Sequence, residues 1–191
     1  ESVGSARSRE LQRAVKELPR VAATSNLHDL APSEYIATGY WLFAQGLQRV
    51  YRRPRGPVAS CRDWLHSGAC IPGCARLLVD PRGRLFACQD MPPHAANCIG
   101  TVQSGISTRD VAAGLNRFYG LTAAECPHCW GVRMCGICQA QPERVGVTSP
   151  EGMQPLCTRE RAFLHWCLVL MCEILERNPD ALTLADAPIV V

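Results

Sequence analysis

No part of this chain reaches the run of about eighteen apolar residues that a membrane-spanning helix needs. The longest candidate, residues 162–175, is about fourteen long and is interrupted by His165, which suits a buried helix better. Aromatic residues make up only 6% of the 191 and the net charge is +3, so neither sign dominates. This balance argues against a nucleic-acid or membrane-surface binder, which needs a concentrated basic face. The dense basic run Arg52-Arg53-Pro54-Arg55 reads as a solvated linker. Glu1-Ser2-Val3-Gly4 lacks both an initiator Met and the charged-then-apolar opening of a secretory leader. The expectation is an excised or partial product located in the cytoplasm. There is no internal repeat, no Gly-rich strand-to-helix fingerprint and no Ser–His–Asp order.

What the chain does have is cysteine: twelve, at positions 61, 70, 74, 88, 98, 126, 129, 135, 138, 157, 167 and 172. An even number in a secreted protein reads as a disulfide framework. The absent leader weakens that reading without removing it.

Around the cysteines the sequence sketches an α+β chain, mostly helical, with a small β-hairpin and cysteine-rich, metal-organised loops. Leu11, Ala14, Val15 and Leu18 share a helical face that Pro19 ends. Ser33 opens a second helix whose stripe is Ile36, Tyr40, Phe43, Leu47 and Val50. Asp80-Pro81-Arg82-Gly83, between two β-rich runs, predicts a type I turn within a hairpin. A helix is expected over 108–119, with Val111, Leu115 and Phe118 on one face and Gly120 past its end. The last helix is expected over 158–177, capped by Thr158 and closed by Asn178-Pro179, with Cys157 just before the cap. The expected division is a helical bridging segment at 1–60, a cysteine domain at 61–178 and a tail at 179–191.

The sharpest motif is Cys126-x2-Cys129-x5-Cys135-x2-Cys138: four thiols within thirteen residues. Thiolates are soft ligands whose usual partners are zinc and iron–sulfur clusters. A zinc ribbon normally separates its two C-x-x-C pairs by some 15–20 residues. A gap of five makes a single tetrahedral ion cramped, whereas a cubane offers several iron corners. Iron–sulfur is therefore favoured over zinc. A thioredoxin-like C-x-x-C lacks its βαβ setting here. Upstream, the hairpin returns Cys88 towards Cys70 and Cys74, and Cys157 stands at a helix start, where free N–H groups favour a thiolate.

These residues resemble the SPASM domain, the auxiliary-cluster region of many radical SAM enzymes. That family reads C-x(9–15)-G-x4-C, a gap, C-x2-C-x5-C-x3-C, another gap and a final C. Here Cys70 leads to Gly83 and Cys88, then come Cys126, Cys129, Cys135 and Cys138, and Cys157 is last. The likeness covers roughly residues 70–175 and departs from the pattern between Cys135 and Cys138, where two residues stand instead of three. The resemblance implies two [4Fe–4S] clusters. Cys70, Cys74, Cys88 and Cys138 would hold the first, and Cys126, Cys129, Cys135 and Cys157 the second. With four thiolates each, both would be closed sites suited to electron transfer.

The catalytic C-x3-C-x2-C of radical SAM enzymes is not in this chain: Cys70-x3-Cys74 begins it, but Leu77 stands where the third cysteine belongs. S-adenosylmethionine would therefore act only through a catalytic domain, fused or separate, and the expected substrate is a peptide or protein. The rival reading is a stand-alone zinc- or cluster-binding module that presents a peptide to a separate enzyme. Cys61 is an alternative to Cys74 as a ligand; Cys167 and Cys172, in the apolar helix, are expected to be inert buried thiols. His128 is expected to stay out of the ligand set.

Overall fold

A computed structural model describes residues 46–47, 49–51, 72–74 and 76–180. The helices expected at 6–18 and over most of 33–53, together with Cys61, Cys70 and the tail beyond 180, lie outside the described residues. The chain divides into two compact units, with the boundary between Arg161 and Ala162.

The cysteine-bearing unit is α+β. Its sheet has strands β1 (Leu78–Val79), β2 (Arg84–Phe86), β3 (Cys98–Thr101) and β4 (Gly105–Ile106), in the order β1-β2-β3-β4 and antiparallel throughout. The expected hairpin is its first half. Gly83 N–H donates to the Asp80 carbonyl at 2.9 Å, closing the predicted turn, and Asp80 N–H donates to the Arg84 carbonyl at 3.0 Å. Gly83 has φ +74°, a left-handed conformation that glycine enters without a Cβ penalty. The turn is thus a type I turn followed by a glycine bulge, a common three-residue hairpin loop. Asp80 reinforces it, because its carboxylate accepts from the Arg82 and Arg84 amides and from Arg84 Nε at 2.7 Å.

The second hairpin, β3–β4, was not expected. Its strands are very short and their periodicity is carried by only Ile99 and Ile106. Pairing with β2, in register Leu85 to Gly100, makes it part of a sheet.

Helix α1 runs Thr108–Thr122 from the Ser107 cap, whose hydroxyl accepts from Asp110 N–H at 3.2 Å. It continues past Gly120, so that glycine lies inside the helix rather than beyond it. Burial explains the extension: Thr122 is 7% exposed, and its hydroxyl donates back to the Phe118 carbonyl at 3.1 Å. Two further helices are α2 (Ala140–Arg144) and α3 (Gln154–Arg177). α3 begins a full turn before the expected Thr158 cap. Pro155 sits at its second position, where no intrahelical N–H is needed. Cys157 therefore lies in the first turn of α3 and not ahead of it.

Two apolar clusters organise this unit. Leu85, Phe86, Ala87, Met91, Ile99 and Ala140 form one, under the sheet. Phe118, Ile137, Met153 and Leu156 form the other, between α1 and the start of α3. Asn97, 5% exposed, is the main polar group buried here. Its amide nitrogen donates to the Pro92 carbonyl at 3.2 Å and to Glu143 at 3.4 Å, and its oxygen accepts from Arg117 at 3.2 Å. A buried amide is tolerated because it is partnered in this way.

The other unit contains the helical residues 46–47 and 49–51 and the continuation of α3 from Ala162. Leu47 and Val50 are buried, as the expected stripe requires, along with Leu164, Cys167, Leu170, Met171 and Ile174. Gly46 allows close approach: a Cβ there would lie 2.6 Å from Phe163 Cζ and 2.7 Å from Cys167 Sγ. Cys167 is the buried thiol expected, whereas Cys172 faces solvent. Among the described residues no helix is long and apolar enough to cross a membrane.

Candidate metal centre

The C-x2-C run begins in a 3-10 turn, Cys126–His128. Cys129 N–H donates to the Cys126 carbonyl at 3.1 Å and Val132 N–H to the Cys129 carbonyl at 3.2 Å. In such turns side chains three apart eclipse one another, so a two-residue spacer brings both thiols to one side. Pro127 supports the turn, since its missing N–H falls where none is required. Met134 N–H donates to the Gly131 carbonyl at 2.9 Å, a further tight turn that leads the chain back to Cys135.

Cys135 and Cys157 both pack on the Phe118–Ile137–Met153–Leu156 cluster. Burial pushes the Cys126 thiol up to about 11, and negative charge on Cys157 and Cys129 adds to the effect. Burial pushes Cys135 up to about 12; the Ile137 N–H bonded to its sulfur opposes this, while Glu160, Cys126 and Cys157 add to it. Cys157 is raised by burial against the pull of Arg161, with Cys129, Glu125 and Glu160 contributing. Cys129 and Cys157 act on Cys126, Cys126 and Cys157 on Cys135, and Cys129 on Cys157, so these thiols lie within electrostatic range of one another. They come from three separate stretches of chain: the 3-10 turn, the loop before α2 and the first turn of α3.

The second group is less completely described. Cys88 follows β2, Cys138 precedes α2, and both pack on the cluster of Leu85, Phe86 and Ile99. Cys74, in the 72–74 turn, is exposed, and Cys70 lies outside the described residues. Cys98, to which the sequence assigned nothing, packs on the same cluster as Cys88 and Cys138. Its thiol donates to the Gly100 carbonyl at 3.1 Å. Its register in β3, opposite Phe86, puts it there, and no sequence motif signals that register.

The chain passes from one apolar cluster to the other within a few residues. Cys135 and Ile137 belong to the α1–α3 cluster, Cys138 and Ala140 to the one under the sheet. Neighbouring cysteines of one motif are thereby delivered to different groups.

No disulfide links any two of the ten described cysteines. Among the described residues no three His, Cys, Asp or Glu side chains converge as a group able to hold a single metal ion. One tetrahedral zinc needs every sulfur about 2.3 Å from a common centre. The thiols of Cys126, Cys129, Cys135 and Cys157 share a neighbourhood without that convergence. Four thiolate donors are the chemistry that either a zinc ion or an iron–sulfur cluster uses. His128 is exposed and stands apart from this role. Comparison with protein-family models, with curated proteins and with solved structures returns no match.

Proposed function

We propose that this chain binds two [4Fe–4S] clusters and serves a radical SAM peptide or protein maturase as its auxiliary-cluster region. The single observation that carries the reading is the run Cys126-x2-Cys129-x5-Cys135-x2-Cys138, with Cys135 and Cys157, from separate stretches of chain, packed on one apolar cluster. Cys88 and Cys138 pack on one apolar cluster and Cys135 and Cys157 on the other, which is the division the interleaved assignment calls for. Cys70 and Cys74 would complete the first set. Bound clusters would supply one-electron acceptor chemistry, with potentials set by net charge, hydrogen bonding and exposure.

The protein's own part is to hold thiolates in apolar seats that limit water and to keep the second set close to the start of α3. S-adenosylmethionine and the radical step belong to the catalytic domain, fused or separate. The shape of this region would help to position the peptide. No metal-holding group among the described residues separates the zinc-module alternative from this reading; the five-residue gap between the two C-x2-C pairs is what favours the cubane.

Anaerobic reconstitution with ferrous iron and sulfide tests the reading. The expected result is about eight iron and eight sulfide per chain with broad visible absorption. One or two zinc ions and no sulfide would defeat it.

A further inference from the structure

The sheet ends at β1, which pairs with β2 on one side and with no described strand on the other. The hydrogen bond from Asp80 N–H to the Arg84 carbonyl, at 3.0 Å, fixes the phase of this ladder. Bonded and non-bonded residues alternate along an antiparallel pair, so Val79, opposite Leu85, stands at a non-bonded position. Its N–H and C=O therefore point away from β2, towards the open edge. Those of Leu77, two residues earlier, follow the same alternation. Among the described residues nothing hydrogen-bonds to these backbone groups.

Side-chain direction alternates as well. Leu78 packs on the cluster under the sheet, which leaves Leu77 and Val79, 45% and 50% exposed, on the outer face. The same two residues thus present open backbone groups and exposed apolar side chains in one row.

Charge selects the occupant. Arg76 at the entry to β1 and Arg82 in the turn that leaves it are exposed, and neither has a carboxylate partner among the described residues. Arg84 differs, being neutralised by Asp80 at 2.7 Å. A second copy laid antiparallel along this edge would set the arginines of one chain against those of the other, and like charges so placed oppose pairing. An acidic strand meets opposite charge at both ends.

We propose that the outer edge of β1 binds an extended acidic peptide by strand addition. The peptide backbone pairs with Leu77 and Val79, its alternate apolar side chains line up beside theirs, and its flanking carboxylates reach Arg76 and Arg82. No thiol and no metal takes part, so the inference stands apart from the cluster reading.

The test titrates the full chain with a fluorescein-labelled peptide of alternating Val and Thr, flanked by two Glu at each end, and reads fluorescence anisotropy. Saturable binding that weakens as salt rises is expected. Methylating the peptide nitrogens that face β1 removes ladder donors without changing charge, and is expected to weaken binding about tenfold or more. The double substitution Arg76→Glu with Arg82→Glu is expected to weaken it by a similar factor while leaving the unfolding midpoint in place.

Equal affinity for a peptide with Lys in place of Glu, for the N-methylated peptide, or in the double arginine variant would each overturn the inference, as would no binding at all. Slow hydrogen exchange at the Val79 amide of the free chain would show that the edge is already covered, and would overturn it too. Iron uptake is read separately and is unaffected by any of these outcomes.

Discussion

A cysteine's chemistry here depends on its seat more than on its count. Cys167 and Cys129 make the contrast. Cys167 is fully buried in α3 beside Gly46, with Leu164 and Met171 on the same buried face. Cys129 ends a 3-10 turn beside Cys126 and bears electrostatically on Cys157. Cys129→Ala is expected to lose about half of the reconstituted iron and to destabilise the domain, since metal-ligand energy is folding energy in such units. Cys167→Ala is expected to keep all of its iron, with a loss of stability on the scale of a small buried side chain. Iron assay of the two purified variants checks this, and equal iron in both would refute the assignment.

Secondary-structure elements in the cysteine-bearing unit are tied together as much by a polar knot as by apolar packing. Asn97, in the short turn before β3, bonds to Pro92, to Glu143 of α2 and to Arg117 of α1. Arg117 also donates to the Ala96 carbonyl at 2.9 Å and pairs with Glu143 at 3.7 Å. Removing the buried amide leaves the Pro92 carbonyl short of a donor and a void at Asn97, while the part-exposed Arg117 and Glu143 can turn to water. Asn97→Ala is expected to cost about 1–3 kcal/mol, read from the urea unfolding midpoint, with iron content preserved. A change below about 0.5 kcal/mol would show that the knot is decorative. The ion pair of Arg144 with Asp90 at 3.6 Å is largely exposed and is expected to contribute little.

Over the whole molecule, the raised thiols predict how stability without clusters depends on pH. Cys126 and Cys135 ionise near 11 and 12 in the folded chain, against 9.0 for an unperturbed thiol. Below about pH 9 both the folded and the unfolded chain keep these thiols protonated, and their stabilising contribution is fully present. Between about pH 9 and 12 the unfolded chain ionises first and gains, so the cluster-free fold loses stability as pH rises. If clusters bind as proposed, the loaded protein would hold these sulfurs as bound thiolates and escape that loss, and acid, where protons compete for the ligands, would be its weak side. Unfolding midpoints of both forms at about pH 7, 8.5 and 10 check the sign. A cluster-free midpoint that is flat or rising across this range would contradict it.

Much of this architecture was readable from local chemistry. Asp80, Pro81 and Gly83 specify their turn, because a type I turn with a left-handed glycine is decided within a few residues. The Cys126–Cys129 spacing specifies its own tight turn, because a two-residue spacer closes through its own backbone hydrogen bond. Other features arise only from long-range packing. The strands β3 and β4 are too short to announce themselves; β3 exists because β2 offers it an edge, and β4 because β3 does. α1 runs past Gly120 because burial of Thr122 outweighs the poor helix propensity of one glycine. Cys98 joins the Cys88 and Cys138 neighbourhood through strand register, which no motif encodes. The assignment of Cys135 and Cys138 to different groups is set by two apolar clusters assembled from distant residues. Local sequence determines which atoms can bind, and the packed core determines which of them meet.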